Sequence, residues 1–317
     1  MAMASNEASN FTYDRPLKVG RDIHWVGTFH PESQSTFNAF IVQDGEEAVL
    51  IHGGTRKDLS SLVLKVLQMG ILPQNIKALI FHSLCPDTWE TIGHLRRLIH
   101  RIHLTIISPF AGSRNFSFHD EKAPLKTIEA MEFNFFFSSG RRLEFFRSPF
   151  APEAGSFVTF DSHSGVLFTG KLFGSHRSPK LFWGDLEAEC RPCLERGSAM
   201  GCSSAECHLL AMEQHHREII PSGKALHMAL ARLARVPFEV LAPQRGSIVF
   251  HKRNLAFLWE RFSRLEGVGI DGVEEEGGHG GEGLEGPQFM HRGFQANGEG
   301  TGSTFPSPES CFAHWDE

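Results

Sequence analysis

The sequence predicts a layered α/β domain. Short apolar runs typical of buried strands alternate along the chain with segments of helical period, and this alternation favours sheets covered by helices. The chain has 317 residues, of which 41% are hydrophobic and 28 are phenylalanine. Those proportions are sufficient for one large or two small domains with a substantial core.

The N-terminal part is predicted to form strands followed by one helix. The predicted strands are residues 23–27, 36–43 and 48–51, the last two joined by a turn at 44–47. Apolar residues at helical spacing predict an amphipathic helix over residues 59–69. Gly70 is its expected C-cap, because glycine adopts the left-handed conformation that ends many helices.

The strand that follows is the expected position of the functional site. The apolar run 78–81 is interrupted by a short polar segment and then continues as a helix with a basic face over residues 92–99. Sites form at such junctions because the strand is rigid and the loop is free to vary. The N-terminus of the helix also favours negative charge.

The second half of the chain repeats the alternation. The predicted strands are residues 104–108, 131–137, 143–146, 155–161 and 165–174. A helical segment covers 206–235 with an interruption at 221–224, and residues 237–241 then lead into the segment 242–248. Two tails flank this domain. We expect residues 1–14 to form a flexible N-terminal tail and 15–262 the folded domain, with a Cys-rich insertion at about 184–208. The Gly/Glu-rich residues 263–317 have few aliphatic side chains, which predicts a disordered tail.

Composition excludes several classes of protein. The formal net charge is −6, and no basic stripe predicts nucleic-acid binding. The polar N-terminus has no apolar core of a signal peptide, and no apolar stretch approaches the length that spans a membrane. We therefore expect a cytoplasmic protein that contacts neither nucleic acid nor membrane.

Four segments at strand ends resemble one family. Residues 82–87, His-Ser-Leu-Cys-Pro-Asp, are similar to a His-x-(Glu or Asp)-Pro-Asp turn, and residues 147–150, Arg-Ser-Pro-Phe, to His-Ser-Pro-Gly. Residues 167–174, Leu-Phe-Thr-Gly-Lys-Leu-Phe-Gly, resemble Leu-Phe-Ser-Gly-Asp-Leu-Phe-Gly, and residues 243–247, Pro-Gln-Arg-Gly-Ser, resemble Pro-Gln-His-Gly-Ser. These motifs belong to the flavodiiron and oxygen-binding di-iron (ODP-like) branch of the metallo-β-lactamase fold. The resemblance implies an αββα sandwich.

In that family the same segments hold two metal ions, and here most of the ligands are replaced. The matching positions are Ser83, Cys85, Asp87, Arg147, Lys171 and Arg245. Arginine has no lone pair to offer a metal, and lysine must lose its proton before it becomes a ligand. We therefore expect no di-iron centre, with only Asp87 kept from the family's ligands.

Three interpretations of the replaced site remain open. Arg147, Lys171 and Arg245 could converge on Asp87 as a buried ion-pair cluster that keeps the cavity packed. The same three cations could form an anion-binding pocket, since guanidinium groups suit phosphate and carboxylate. A relocated metal site could instead be built from His52, His82, Cys85 and Asp87.

The cysteine-rich segment is a separate candidate site. Cys190, Cys193, Cys202 and Cys207 have a C-x2-C-x8-C-x4-C spacing, and two pairs of thiolates can bind a tetrahedral zinc ion. A structural zinc, a redox-active dithiol at Cys190 and Cys193, and unlinked cysteines in a variable loop are the alternatives.

The resemblance and the replaced ligands together suggest a function. We expect a non-catalytic pseudoenzyme that acts as a binding or regulatory subunit, with a small anionic ligand and a protein partner or homodimer. The alternative is a di-iron-type protein that binds or reduces O₂ or NO at a remodelled metal site. No flavodoxin domain is expected in this chain, and hence no FMN. A zinc-stabilised interaction module is compatible with the first of these functions.

Overall fold

The computed structural model describes residues 12–83, 86–100, 104–109, 125–177, 181–183 and 207–273, without the side chains of 86–90 and 183. The strands are β1 (Leu17–Gly20), β2 (Ile23–Trp25), β3 (Thr28–His30), β4 (Ser35–Phe37), β5 (Phe40–Asp44), β6 (Glu47–Ile51), β7 (Ile76–Ile80), β8 (Thr105–Ile107), β9 (Leu125–Lys126), β10 (Asn134–Phe136), β11 (Arg142–Arg147), β12 (Phe157–Asp161), β13 (Val166–Gly170), β14 (Phe182–Trp183), β15 (Val240–Pro243) and β16 (Ile248–Phe250). The helices are α1 (Leu59–Gln68), α2 (Pro86–Ile99), α3 (His208–Ile219), α4 (Gly223–Leu233) and α5 (Lys252–Ser263).

Two seven-stranded sheets form the centre of the fold. The order of the first is β1-β2-β5-β6-β7-β8-β9, and that of the second is β10-β11-β12-β13-β15-β16-β14. Strands β6 to β9 pair in parallel, as do β13 and β15. The carboxyl ends of parallel strands lie at one edge of a sheet, so the loops after β6, β7, β13 and β15 are placed for a site.

Three apolar layers hold the sheets and helices together. One lies between the sheets, where the rings of Phe40 and Phe168 are 5.1 Å apart. A second packs α1 and α2 on the first sheet, and a third packs α3, α4 and α5 on the second. The order of layers is helix, sheet, sheet, helix. This confirms the αββα sandwich predicted from the resemblance.

A buried ion pair connects the hairpin turns at the edge opposite these strand ends. Arg141 makes two hydrogen bonds to Asp161, Nε to Oδ1 at 3.1 Å and Nη2 to Oδ2 at 2.6 Å. Its Nη1 donates to the carbonyl of Gln43 in the first sheet at 2.8 Å. Asp161 is fully buried and the Arg141 side chain is 6% exposed. One guanidinium group therefore links both sheets and sets how they align.

The structure differs from the predicted elements in several places. Helix α2 begins at Pro86, six residues before the predicted start, and α5 was not predicted at all. Tyr13, expected in a flexible tail, packs its ring 4.6 Å from that of Phe29. Core packing also continues past residue 262, because Leu265 and Val268 are buried under α4 and α5. Residues 1–11 and 274–317 lie outside the described part of the chain.

Within the described residues, no helix has both the length and the apolar character that crossing a membrane requires.

Replacing Arg141 should destabilise the protein strongly. Arg141→Gln leaves the Asp161 carboxylate buried without its cation, which typically costs about 3–5 kcal/mol in the free energy of unfolding. The neighbouring Arg142 is a matched control, since its side chain is 51% exposed and pairs with Glu144 at the surface. Arg142→Gln should cost less than about 1 kcal/mol. Urea denaturation of both variants measures the difference, and equal losses would contradict the role of Arg141.

Candidate functional site

The loops that follow the parallel strands meet at one edge of the sandwich. Ser83, after β7, donates its hydroxyl to Oε1 of Gln244, after β15, at 3.3 Å. Gly170, at the end of β13, lies against His82, and a Cβ there would be 2.8 Å from His82 Cβ. Only glycine fits this position, where φ is +62°. The structure thus brings together strand ends that are far apart in sequence.

His52 and His82 form a buried hydrogen-bonded pair beneath this edge. Nδ1 of His82 lies 3.0 Å from Nε2 of His52, and Nε2 of His82 lies 2.7 Å from the hydroxyl of Thr159. Nδ1 of His52 has no hydrogen-bond partner. An unpartnered lone pair costs less than an unpartnered N–H group, so we assign the proton of His52 to Nε2 and that of His82 to its own Nε2. With this assignment, Nε2–H of His52 donates to Nδ1 of His82, and Nε2–H of His82 donates to the hydroxyl of Thr159.

This arrangement leaves no ring nitrogen of His82 available for a metal. Among the residues that the structure describes, no three His, Cys, Asp or Glu side chains are grouped to hold a metal ion. The relocated metal site predicted from His52, His82, Cys85 and Asp87 is therefore represented only by its two histidines. Cys85 and the side chain of Asp87 lie outside the described part of the chain.

Arg147 does not join the other predicted cations. Its Nη2 pairs with Glu129 at 2.9 Å, its guanidinium lies 5.3 Å from the ring centre of Phe133, and its side chain is 50% exposed. Lys171 pairs with Glu153 at 3.3 Å. Both ion pairs are partly exposed, so the buried cluster of three cations that the sequence suggested is not what these residues form.

Lys171 and Arg245 instead lie near two histidines, His176 and His215, that the sequence analysis did not assign to the site. The rings of His176 and His215 meet edge to face at 4.1 Å, and the guanidinium of Arg245 lies 4.8 Å above the ring of Phe37. Burial lowers the pKa of His215 to about 2, and the positive charges of Lys171 and Arg245 contribute to this lowering. Burial and the same two cations also lower the pKa of His176. We call Lys171, Arg245, His176 and His215 the cationic cluster.

His215 has a feature that points to a ligand. The residue is 4% exposed, and its Nδ1 has no hydrogen-bond partner. Its neighbour His216 is satisfied, because Nδ1 lies 2.7 Å from the carbonyl of Met212 and Nε2 accepts from the backbone N–H of Phe173 at 2.8 Å. Nothing in the sequence indicated that His215, on α3, would contact His176.

The predicted cysteine site falls almost entirely outside the described residues. Cys190, Cys193 and Cys202 are not described. Cys207 is half-buried and immediately precedes α3. The zinc, redox and unlinked-cysteine alternatives are therefore not distinguished by the geometry.

Comparison with known proteins gives a family match and a set of similar folds. Residues 35–246 match the model of the ODP family of beta-lactamase proteins. Rubredoxin oxygen:oxidoreductase from Desulfovibrio gigas has a similar structure, with a TM-score of 0.63 and 19% identity over 78% of this chain and 60% of that one. The apo chemotaxis sensor ODP from T. denticola gives the same score and identity over 82% of this chain and 96% of that one. A peroxy di-iron form of the sensor aligns over 82% and 97% of the two chains, with a TM-score of 0.63 and 19% identity.

This chain thus spans about 60% of the length of the oxidoreductase. A search of curated protein sequences finds no match.

The comparisons correct the prediction that no di-iron centre is to be expected. Proteins with this fold include flavodiiron cores and a sensor solved as a peroxy di-iron species, so the fold is one that holds two irons. The side chains described at four of the six ligand positions are a hydroxyl, two guanidinium groups and an ammonium group. These four do not fit a di-iron group, and we derive no chemical step through one.

Lowering the pH should destabilise the fold through its buried histidines. Burial lowers the pKa of His52 to about 3 and that of His82 well below its usual range. Between about pH 6 and about pH 4.5 the unfolded chain therefore binds protons that the folded chain does not, and stability falls as the pH falls. Each such histidine contributes about 1.4 kcal/mol per pH unit.

His82→Gln should reduce this pH slope of the unfolding free energy by about one proton, as measured by urea denaturation across the range. His100→Gln removes an exposed imidazole and is the control. A slope that is unchanged in His82→Gln would contradict the assignment of a buried neutral pair.

Proposed function

Because this chain belongs to the ODP family of beta-lactamase proteins, we propose that it is a non-catalytic binding or regulatory subunit whose strand-end site takes a small anion. The observation that carries this proposal is the cationic cluster. Lys171 and Arg245 come from two different strand ends and meet at one turn, where the carbonyl of Lys171 accepts from the backbone N–H of Gly174 and that of Arg245 from the backbone N–H of Ser175, each at 3.2 Å. An anion is the ligand that such a field attracts.

The geometry supports an anion in two ways. Lys171 is balanced by Glu153, and Arg245 adds a second fixed cation held against the face of Phe37. Arginine binds phosphate and carboxylate through directed N–H donors. The unpartnered Nδ1 of the buried His215 is a further polar group at the site. When protonated, it would become a donor to the anion.

The lowered histidine pKa values give the proposal a pH dependence. A bound anion offsets the repulsion that Lys171 and Arg245 exert on a protonated imidazole, so it raises the pKa of His176 and His215. Linkage then requires that anion binding takes up protons. Affinity for the anion is therefore expected to increase as the pH falls.

Sulfate, whose charge does not change between pH 6 and pH 8, should raise the melting temperature of the protein, and more so at pH 6 than at pH 8. A ligand at about 100 times its dissociation constant stabilises the folded state by about 2.7 kcal/mol. Arg245→Gln should remove the shift. Arg235→Gln is the matched control, since this exposed arginine lies after α4, just before the start of β15 at the opposite edge. A shift that persists in Arg245→Gln, or no shift with phosphate or sulfate, would contradict the anion site.

The solved relatives favour a second candidate function, a di-iron-type protein that binds or reduces O₂ or NO. The supporting observation is that a sensor with the same fold is known as a peroxy di-iron species. When bound, such a centre supplies redox and O₂-binding chemistry. Here Asp87 is the position that matches a family ligand.

Metal analysis tests this candidate. Under the di-iron function, protein purified without a tag should contain about two irons per chain. Asp87→Asn should then lower the iron content. Protein that holds no iron after growth with added iron and anaerobic reconstitution would contradict this function.

We also propose that the chain is cytoplasmic and that it works as a homodimer or with another family member. The support is the family match. Light scattering of the purified protein, alone and mixed with a co-purified homologue, would measure the assembly.

A further inference from the structure

A charged cavity lies near the strand-end site and is not explained by the proposed function. Its volume is about 530 Å³, within the range of small-molecule sites. Four parts of the chain line it: the turn after β9, the end of β11, the loop between β11 and β12, and α4. We call it the Arg147–Arg232 cleft, after the two arginines that line it from β11 and α4.

The two arginines give the cleft its chemistry. Arg147 uses one nitrogen, Nη2, to contact Glu129, and half of its side chain remains exposed. Arg232 is exposed in the last turn of α4 and forms no ion pair with any described residue. Two guanidinium groups thus face one carboxylate. The net charge of these three groups is positive, and their N–H donors suit a planar or tetrahedral oxyanion.

Arg147 is also held in a defined orientation. The ring of Phe133 lies 5.3 Å from its guanidinium and restricts the orientations that the guanidinium can take. Donors that are already oriented lose less conformational entropy when a ligand binds. Arg147, which the sequence analysis matched to a metal-ligand position, is therefore placed to bind a ligand in this cleft.

The rest of the cleft indicates what else the ligand carries. Ile128, Pro149 and Ala154 provide apolar surface, and Thr127 lies at the same wall. Glu129 disfavours a ligand with several negative charges. We infer that the Arg147–Arg232 cleft binds a small organic molecule that carries one phosphate or carboxylate group on an apolar body.

Binding of two simple probes tests the inference. Phenyl phosphate and benzoate share an apolar ring and differ in the anionic group, so titration calorimetry with each, at constant ionic strength, distinguishes the two chemistries. At least one should bind the full chain, and Arg232→Gln should weaken it by about tenfold. Arg235→Gln removes an exposed arginine three residues further along and should leave the affinity unchanged.

Two further variants sharpen the result. Glu129→Gln removes the carboxylate that competes for Arg147 and should tighten binding several-fold. Arg245→Gln alters the cationic cluster and should leave unchanged the binding component that Arg232→Gln weakens, which separates this cleft from the strand-end anion site. The inference fails if neither probe binds, if Arg232→Gln binds as well as the parent chain, or if Glu129→Gln weakens binding.

Discussion

The placement of the strand-end site depends on the side-chain amide of Asn38, which is fully buried between the sheets. Its Nδ2 donates to the carbonyls of Pro243 and Gly246, each at 2.9 Å, and its Oδ1 accepts from Nε1 of Trp25. Its own backbone N–H donates to the carbonyl of Gln244 at 2.7 Å. Thr36 adds two contacts to Gly246. The loop that presents Arg245 is therefore fastened to the opposite sheet, and its buried carbonyls would be left unpaired without that amide.

This fastening does not depend on the side chains that the strand-end site presents. The hydrogen bonds of Asn38 go to backbone carbonyls and to the indole of Trp25, so they do not depend on which side chain occupies position 245. At the opposite edge, Arg141 and Asp161 hold the two sheets in alignment in a similar way. The scaffold is thus specified at both edges by contacts that the ligand positions do not share.

Much of the fold could be predicted from the sequence, and rather little of the site. Alternating strands and helices indicated a layered α/β domain, and the strand-end motifs indicated the family. Side chains alternate between the two faces of an extended chain, which predicts that His82 and Ser83 point in opposite directions. In the structure His82 contacts Thr159 and Ser83 contacts Gln244.

The orientation of the Arg147 side chain could not be predicted. It depends on contacts with Glu129 and Phe133, which lie close to Arg147 only because the turn before β10 packs there. The contact between His176 and His215 likewise joins a loop to a helix 39 residues away, across a segment with no readable periodicity.

The loop between β11 and β12 belongs to both of the sites proposed. Glu153 pairs with Lys171 of the cationic cluster, while the next residues, Ala154 to Ser156, line the cleft of Arg147 and Arg232. A ligand that displaces this short wall at one site alters the shape of the other. Occupancy of the two sites is then energetically coupled, and thermodynamic reciprocity requires that each ligand change the affinity for the other by the same factor.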